Sequence, residues 1–300
     1  MVALPEIDAV AVVVRVPSHY EPTKAALEAG KHVYTEWPLG RTTGEAEELA
    51  ALARSKGVRT AVGLQSRVSP PLMYMKEQIE SGYVGEVMAC HVSLMREGIL
   101  ERTSSRTWMR DGSLGANTLT IASGHTIDAL RFVAGNFSRM ACVVTTQARQ
   151  WLETDTNKMV DVTAPDNIMV SGRLANGAVA SVHVANIPWA GSGYRMEIYG
   201  REGTLVASGK DSPQLCEVRL YGARGGNALS ELAVPSRFVY VQAGMPQVEP
   251  YNIGQIYCEF AHAIRTGQSR QPTFDTAVEL HRLVDAIKQA SDTGREVSVA

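Results

Sequence analysis

Between Ala9 and Gly63 the chain alternates twice between an apolar run of strand length and a capped helix, and this constrains the fold of its 300 residues most. Ala9–Val14 (AVAVVV) is β-branched and continuously apolar, the pattern of a strand covered on both faces of a parallel sheet. Ser18 and Glu21 make an S-x-x-E capping box that opens a helix ending at Gly30. His32–Thr35 reads as the next strand. Thr42 and Glu45 repeat the capping box, and an Ala/Leu/Glu-rich helix runs to Lys56 and stops at Gly57. Thr60–Gly63 is the third strand, so the stretch reads as βαβαβ, half of a doubly wound nucleotide-binding sheet.

After Pro70-Pro71 the pattern changes. A helix is expected over Leu72–Ser81, a strand over Glu86–Met95 and a helix over Asn117–Ala134. From Arg139 to Tyr240 several strands follow, with turns at Asn176-Gly177 and Glu202-Gly203 that favour an antiparallel meander. Two helices, Gly254–Thr266 and Asp275–Ser291, close the chain. The fold class expected is α/β. Residues 1–68 form a partial Rossmann parallel sheet, and residues 69–300 an α+β domain with a large, mostly antiparallel sheet whose face serves homo-oligomer formation.

Charge is nearly balanced, 29 Lys+Arg against 31 Asp+Glu, which gives direct nucleic-acid binding little electrostatic support. The apolar runs are too short to span a membrane, and MVALPEIDAV lacks the basic start of a secretory signal. Cys90, Cys142, Cys216 and Cys258 show no C-x-x-C spacing and read as reduced, buried thiols of a cytoplasmic protein. No G-x-G-x-x-G, G-x-S-x-G or H-E-x-x-H is present. His125 and Asp128 share a helix face, but no further metal ligands accompany them, so no metal is expected.

PEIDAVAVVVRVPSHYEPTKAALEAGKHVYTEWPLG, followed by VGLQSR and SLGANTLTIASGHTIDALRFVAG, resembles the Gfo/Idh/MocA oxidoreductases over essentially the whole chain. EWPLG, VPSHY and GHTID are similar to the subgroup containing the galactose-regulon repressor of yeasts. The resemblance implies NAD or NADP as cofactor and a sugar or polyol as ligand. It also implies either hydride exchange or, as in that subgroup, sensing through a protein partner.

The resemblance also carries departures. The family's glycine fingerprint half, roughly sixty-odd residues, has no counterpart in front. A shortened gene reading or truncated product is therefore expected, with weak or no dinucleotide affinity. The lysine that the family uses for proton transfer is Trp37 here, and the aspartate four residues before the helix histidine is Ile121.

Trp37 is expected either to pack into an inter-domain crevice or to stand against a nicotinamide or sugar ring. Its indole nitrogen only donates, so it cannot relay a proton. His125 is either a satisfied helix histidine or the surviving acid/base, and Asp128 could orient it or pair elsewhere. The resemblance places Arg15, Val16, Pro17, His19, Glu36, Trp37, Gln65, Trp108 and Arg110 along the cofactor cleft. Glu36 would bond the ribose, and Trp108 and Arg110 would lie in a loop that closes over the cofactor. Arg67 would end the third strand near the same cleft.

Overall fold

The computed structural model describes residues 2–242, 244–246 and 249–299. Three strands, β1 (Ala9–Val12), β2 (His32–Glu36) and β3 (Thr60–Gly63), lie parallel in sequence order. Helices α1 (Tyr20–Glu28) and α2 (Thr43–Lys56) connect them. Thr42 caps α2 by accepting from the Glu45 amide at 3.2 Å, and Gly57 ends it in the left-handed region at φ 63°.

The capping box at Ser18 does not form. Val16–Ser18 make a 3-10 turn with Pro17 in it, so α1 starts at Tyr20 with His19 as its cap. Nor is β1 covered on both faces: Ala9 and Ala11, which share one face, are exposed, and Val13 and Val14 beyond the strand are exposed too.

Helix α3 (Pro70–Glu80) leads into β4 (Val87–Arg96), followed by the short β5 (Glu101–Arg102). Asn117 then caps a π-helical turn, Thr118–Ser123, which runs into α4 (Gly124–Ala134). The single helix expected over Asn117–Ala134 is thus two segments of different winding. Next come β6 (Phe137–Thr145), β7 (Gln150–Glu153), β8 (Lys158–Asp161), β9 (Asn167–Leu174) and β10 (Val179–Asn186). After these come β11 (Gly193–Gly200), β12 (Gly203–Gly209), β13 (Val218–Arg224) and β14 (Ser230–Glu231). Helices α5 (Glu249–Thr266) and α6 (Phe274–Thr293) and a final strand, β15 (Val297–Ser298), complete the chain.

Nine of these strands form one sheet in the order β14-β13-β12-β11-β4-β10-β9-β6-β15, while β5, β7 and β8 form a small one. The large sheet is antiparallel except between β10 and β4. A purely local meander cannot supply that parallel pair, which joins strands far apart in sequence. The register explains the core. Val170, Val182, Val92, Met196, Ala207 and Leu220 stand opposite one another across six strands, and all are buried. Helices α3, α4 and α6 pack on this face. The other face keeps Val143, Met169, Val179 and Tyr199 exposed. All four cysteines are free, but only Cys90 is buried and Cys258 is exposed, which corrects the expectation of buried thiols. No helix among the described residues is long and apolar enough to cross a membrane.

One ion pair ties the turn after β3 to α4. Arg67 donates to both carboxylate oxygens of Asp128, at 2.8 and 2.7 Å, and the Asp128 side chain is 1% exposed. Removing one partner strands the other charge in the interior. Asp128→Ala should therefore lower the unfolding free energy by about 3–5 kcal/mol in urea denaturation. A loss under about 1 kcal/mol would mark the pair as no stronger than a surface contact.

Candidate functional site

The segment after β2 meets the π turn through Trp37, and the residues expected at the cofactor cleft fall into three groups. Glu36, at the end of β2, accepts from the Tyr34 hydroxyl at 2.6 Å and from Gln65 Nε2 at 2.9 Å. Burial pushes its carboxyl up against the opposing pull of these two donors. Gly63 is required beside it, because a Cβ there would collide with the Glu36 carboxylate. The Oε1 of Gln65 is buried with no partner among the described residues.

Trp37 is 4% exposed and donates its indole N–H to the Thr120 carbonyl at 2.8 Å. The His281 ring lies 4.7 Å away, and Gly124 packs against the indole. These are the contacts of crevice packing. The indole shapes the site through the π turn that carries Thr120 and Ile121.

Arg15 reaches across to the loop at Ser105, donating to its carbonyl at 3.2 Å, and its guanidinium lies 5.3 Å from the Trp108 ring centroid. Trp108 and Arg110 line a 420 Å³ cleft with Asp111, Leu114, Asp161 and Thr163, and Arg110 is tethered to the Asp161 carbonyl at 2.9 Å. Val16 is buried and Pro17 is exposed. His19 is locked in place, with Nδ1 2.7 Å from the Pro38 carbonyl and Nε2 3.0 Å from that of Val14. It fixes the β1 and β2 ends relative to each other.

His125 lies on α4 one turn past Ile121. It is 5% exposed, and its Nδ1 is buried with no partner among the described residues. Burial lowers its pKa to about 4, with Asp128 opposing and Arg96 adding to the fall. Asp128 does not orient this ring by a hydrogen bond, because its oxygens serve Arg67, with Arg131 3.7 Å away.

Beside Ile121 opens a cavity of about 380 Å³, a small-ligand volume. Arg96, Arg102, Arg106, Thr118, Trp151, Asp166 and Asn186 contribute to its walls. Sequence reading missed these residues. They come from the end of β4, the β5 loop, the π turn, β7, the segment before β9 and the end of β10, which only the tertiary fold assembles. The one local signal was ERTSSRTWMR, where three arginines surround the loop already singled out at Trp108.

Two of the three buried histidines around the crevice, His125 and His281, have a strong pH signature. His125 and His281 are each depressed from 6.5 to about 4 by burial, so the unfolded chain binds their protons more tightly than the folded one. Their stabilisation is complete above pH 6.5 and is lost as pH falls toward 4. Unfolding free energy should drop by about 1.4 kcal/mol per pH unit per histidine below pH 6.5. Denaturation of His125→Asn and His281→Asn at pH 7 and pH 5 checks this: each variant should flatten the slope.

Two family descriptions match adjacent parts of the chain. One is the oxidoreductase family with an NAD-binding Rossmann fold, over residues 1–64, and the other the C-terminal domain of Gal80p, over residues 70–209. Dehydrogenase aclE of Aspergillus oryzae is 28% identical across 97% of this chain and 78% of its own length. The galactose/lactose metabolism regulatory protein GAL80 of Kluyveromyces lactis is 29% identical across 58% of this chain and 41% of its own length. The solved structure of Gal80p from Kluyveromyces lactis superposes with a TM-score of 0.85 at 26% identity, covering 99% of this chain and 78% of that one. Levoglucosan dehydrogenase in complex with NADH and L-sorbose has the same fold, with a TM-score of 0.86 at 24% identity, covering 100% of this chain and 81% of that one.

Proposed function

We propose, for a chain that belongs to the Gfo/Idh/MocA oxidoreductase family and to its Gal80-like branch, that the cavity beside Ile121 binds a sugar or polyol. In this reading the small parallel sheet holds NAD or NADP against that cavity, and His125 is the acid/base group of a slow oxidoreductase on a CH–OH group. The observation that carries it is His125 itself: a buried imidazole one turn from the cavity wall, with an unpartnered ring nitrogen.

The residues at the cleft suit the nicotinamide end of a dinucleotide, while the sequence holds no glycine turn for its pyrophosphate, so weak cofactor affinity is part of this reading. Gln65 keeps a buried acceptor without a partner, and the Arg15–Trp108 pair offers a cation over an aromatic face at the rim. Arg15, Val16, Pro17, His19, Glu36, Trp37, Gln65, Trp108 and Arg110 would hold or frame it. Bound there, the dinucleotide supplies the hydride acceptor.

The proton falls to this chain's own groups. Ile121 has none to exchange, and the Trp37 N–H is engaged by Thr120. A histidine with a pKa near 4 is a weak base at neutral pH, so turnover should be slow. Those same two residues favour a second reading, a sugar sensor that acts through a protein partner. The free thiols support a reducing, cytoplasmic setting, and the exposed apolar face of the large sheet supports pairing with a second copy.

Single-turnover absorbance at 340 nm with a sugar and polyol panel separates the readings. A substrate-dependent change is expected, falling about 10²–10⁴-fold in His125→Asn while sugar binding persists. Sugar binding without any absorbance change would leave the sensor.

A further inference from the structure

Three guanidinium groups, from Arg96, Arg102 and Arg106, converge on the 380 Å³ cavity, and their charges are unequally answered. Arg96 is forked onto Asp211 at 2.6 and 3.2 Å. Arg102 donates only to the backbone carbonyls of Gly98 and Glu101 and lies 5.2 Å from the Trp151 ring centroid. Neither Arg102 nor Arg106 forms an ion pair with a carboxylate among the described residues. The Asp166 carboxylate, which also lines the cavity, is engaged by the backbone amides of Gln147 and Ala148 at 2.7–3.0 Å. Glu97 and Glu249, both exposed, also line the cavity.

We infer that the cavity takes a sugar bearing an oxyanion, a carboxylate or a phosphate, held by Arg102 and Arg106 beside the Trp151 face. This rests on reading the cavity as a sugar site and adds the substrate class. Guanidinium forks match carboxylate and phosphate oxygens two at a time, and such charge-assisted bonds are about twice as strong as neutral ones. Ile99, Met109 and Ile121 provide an apolar wall for the ring. The like charges are close enough to interact: Arg102 is held below the usual arginine range by burial, and then by Arg106 and Arg96. An oxyanion between Arg102 and Arg106 relieves that repulsion, whereas a neutral sugar leaves it in place.

Titration calorimetry on the full chain with D-glucose, D-glucuronate and D-glucose 6-phosphate tests the inference. At least one anionic sugar should bind tenfold or more tightly than glucose and weaken as NaCl is raised. Arg106→Ala, an exposed position that folding tolerates, should bring it down to the affinity of glucose. Which anion wins distinguishes sugar acid from sugar phosphate. If glucose binds as tightly as both anions, or Arg106→Ala changes nothing, the anionic inference fails and the sugar site stands. If none of the three binds, both fail.

Discussion

The Arg67–Asp128 ion pair is the contact on which the site's geometry depends. It joins the turn after β3 to the middle of α4, and Asp128 is fully buried. A buried carboxylate is tolerated only when its oxygens are matched, and the bidentate fork does that. Arg131 continues the network on the same helix, bonding Glu279 of α6 at 3.0 Å and Asn136 at 2.8 Å. A second seam runs parallel to it, from the Trp37 indole to the Thr120 carbonyl of the π turn. Between them, the two seams hold the carboxyl edge of the parallel sheet against the segment that carries Ile121 and His125. Those two side chains therefore sit on rigid elements rather than on a loop, which a ligand site requires.

The site that results is electrically divided. The cavity collects arginines from β4 and the β5 loop. Next to it, burial keeps His125 and His281 neutral, and Trp37 adds an uncharged ring. In the proposed reading the ligand's charge would meet these arginines, and His125 lies one turn beyond the Ile121 wall. The same arrangement suits tight binding more than rapid proton exchange. That fits a family holding both dehydrogenases and a regulatory protein among this chain's relatives.

Much of the fold was legible because its signals are local. Thr42, Glu45 and Gly57 announced α2 to the residue, and the Asn176-Gly177 turn announced the β9–β10 hairpin. Ser18 misled because Pro17 and the preceding 3-10 turn move the helix start to Tyr20, a choice made by backbone winding that a spacing rule does not register. The π turn was hidden for the same reason, since Asn117–Ala134 has the apolar pattern of one helix. In the site, His125 and Trp37 could be singled out by position, but the partner that fixes Trp37 lies 83 residues away. The cavity was least legible of all. Arg96, Trp151 and Asn186 carry no common spacing: Arg96 and Asn186 meet because β10 pairs with β4 in parallel, and Trp151 comes from β7 of the small sheet, beside β5.

The central claim is that α4 presents a neutral imidazole beside a ligand cavity, and histidine-selective ¹⁵N NMR of His125 tests it most directly. The predicted spectrum at pH 7 has two inequivalent ring nitrogens. It should titrate near pH 4 and shift when a sugar that binds the cavity is added. A ring that titrates near 6.5 and ignores saturating sugar would contradict both the burial of His125 and its place beside the ligand.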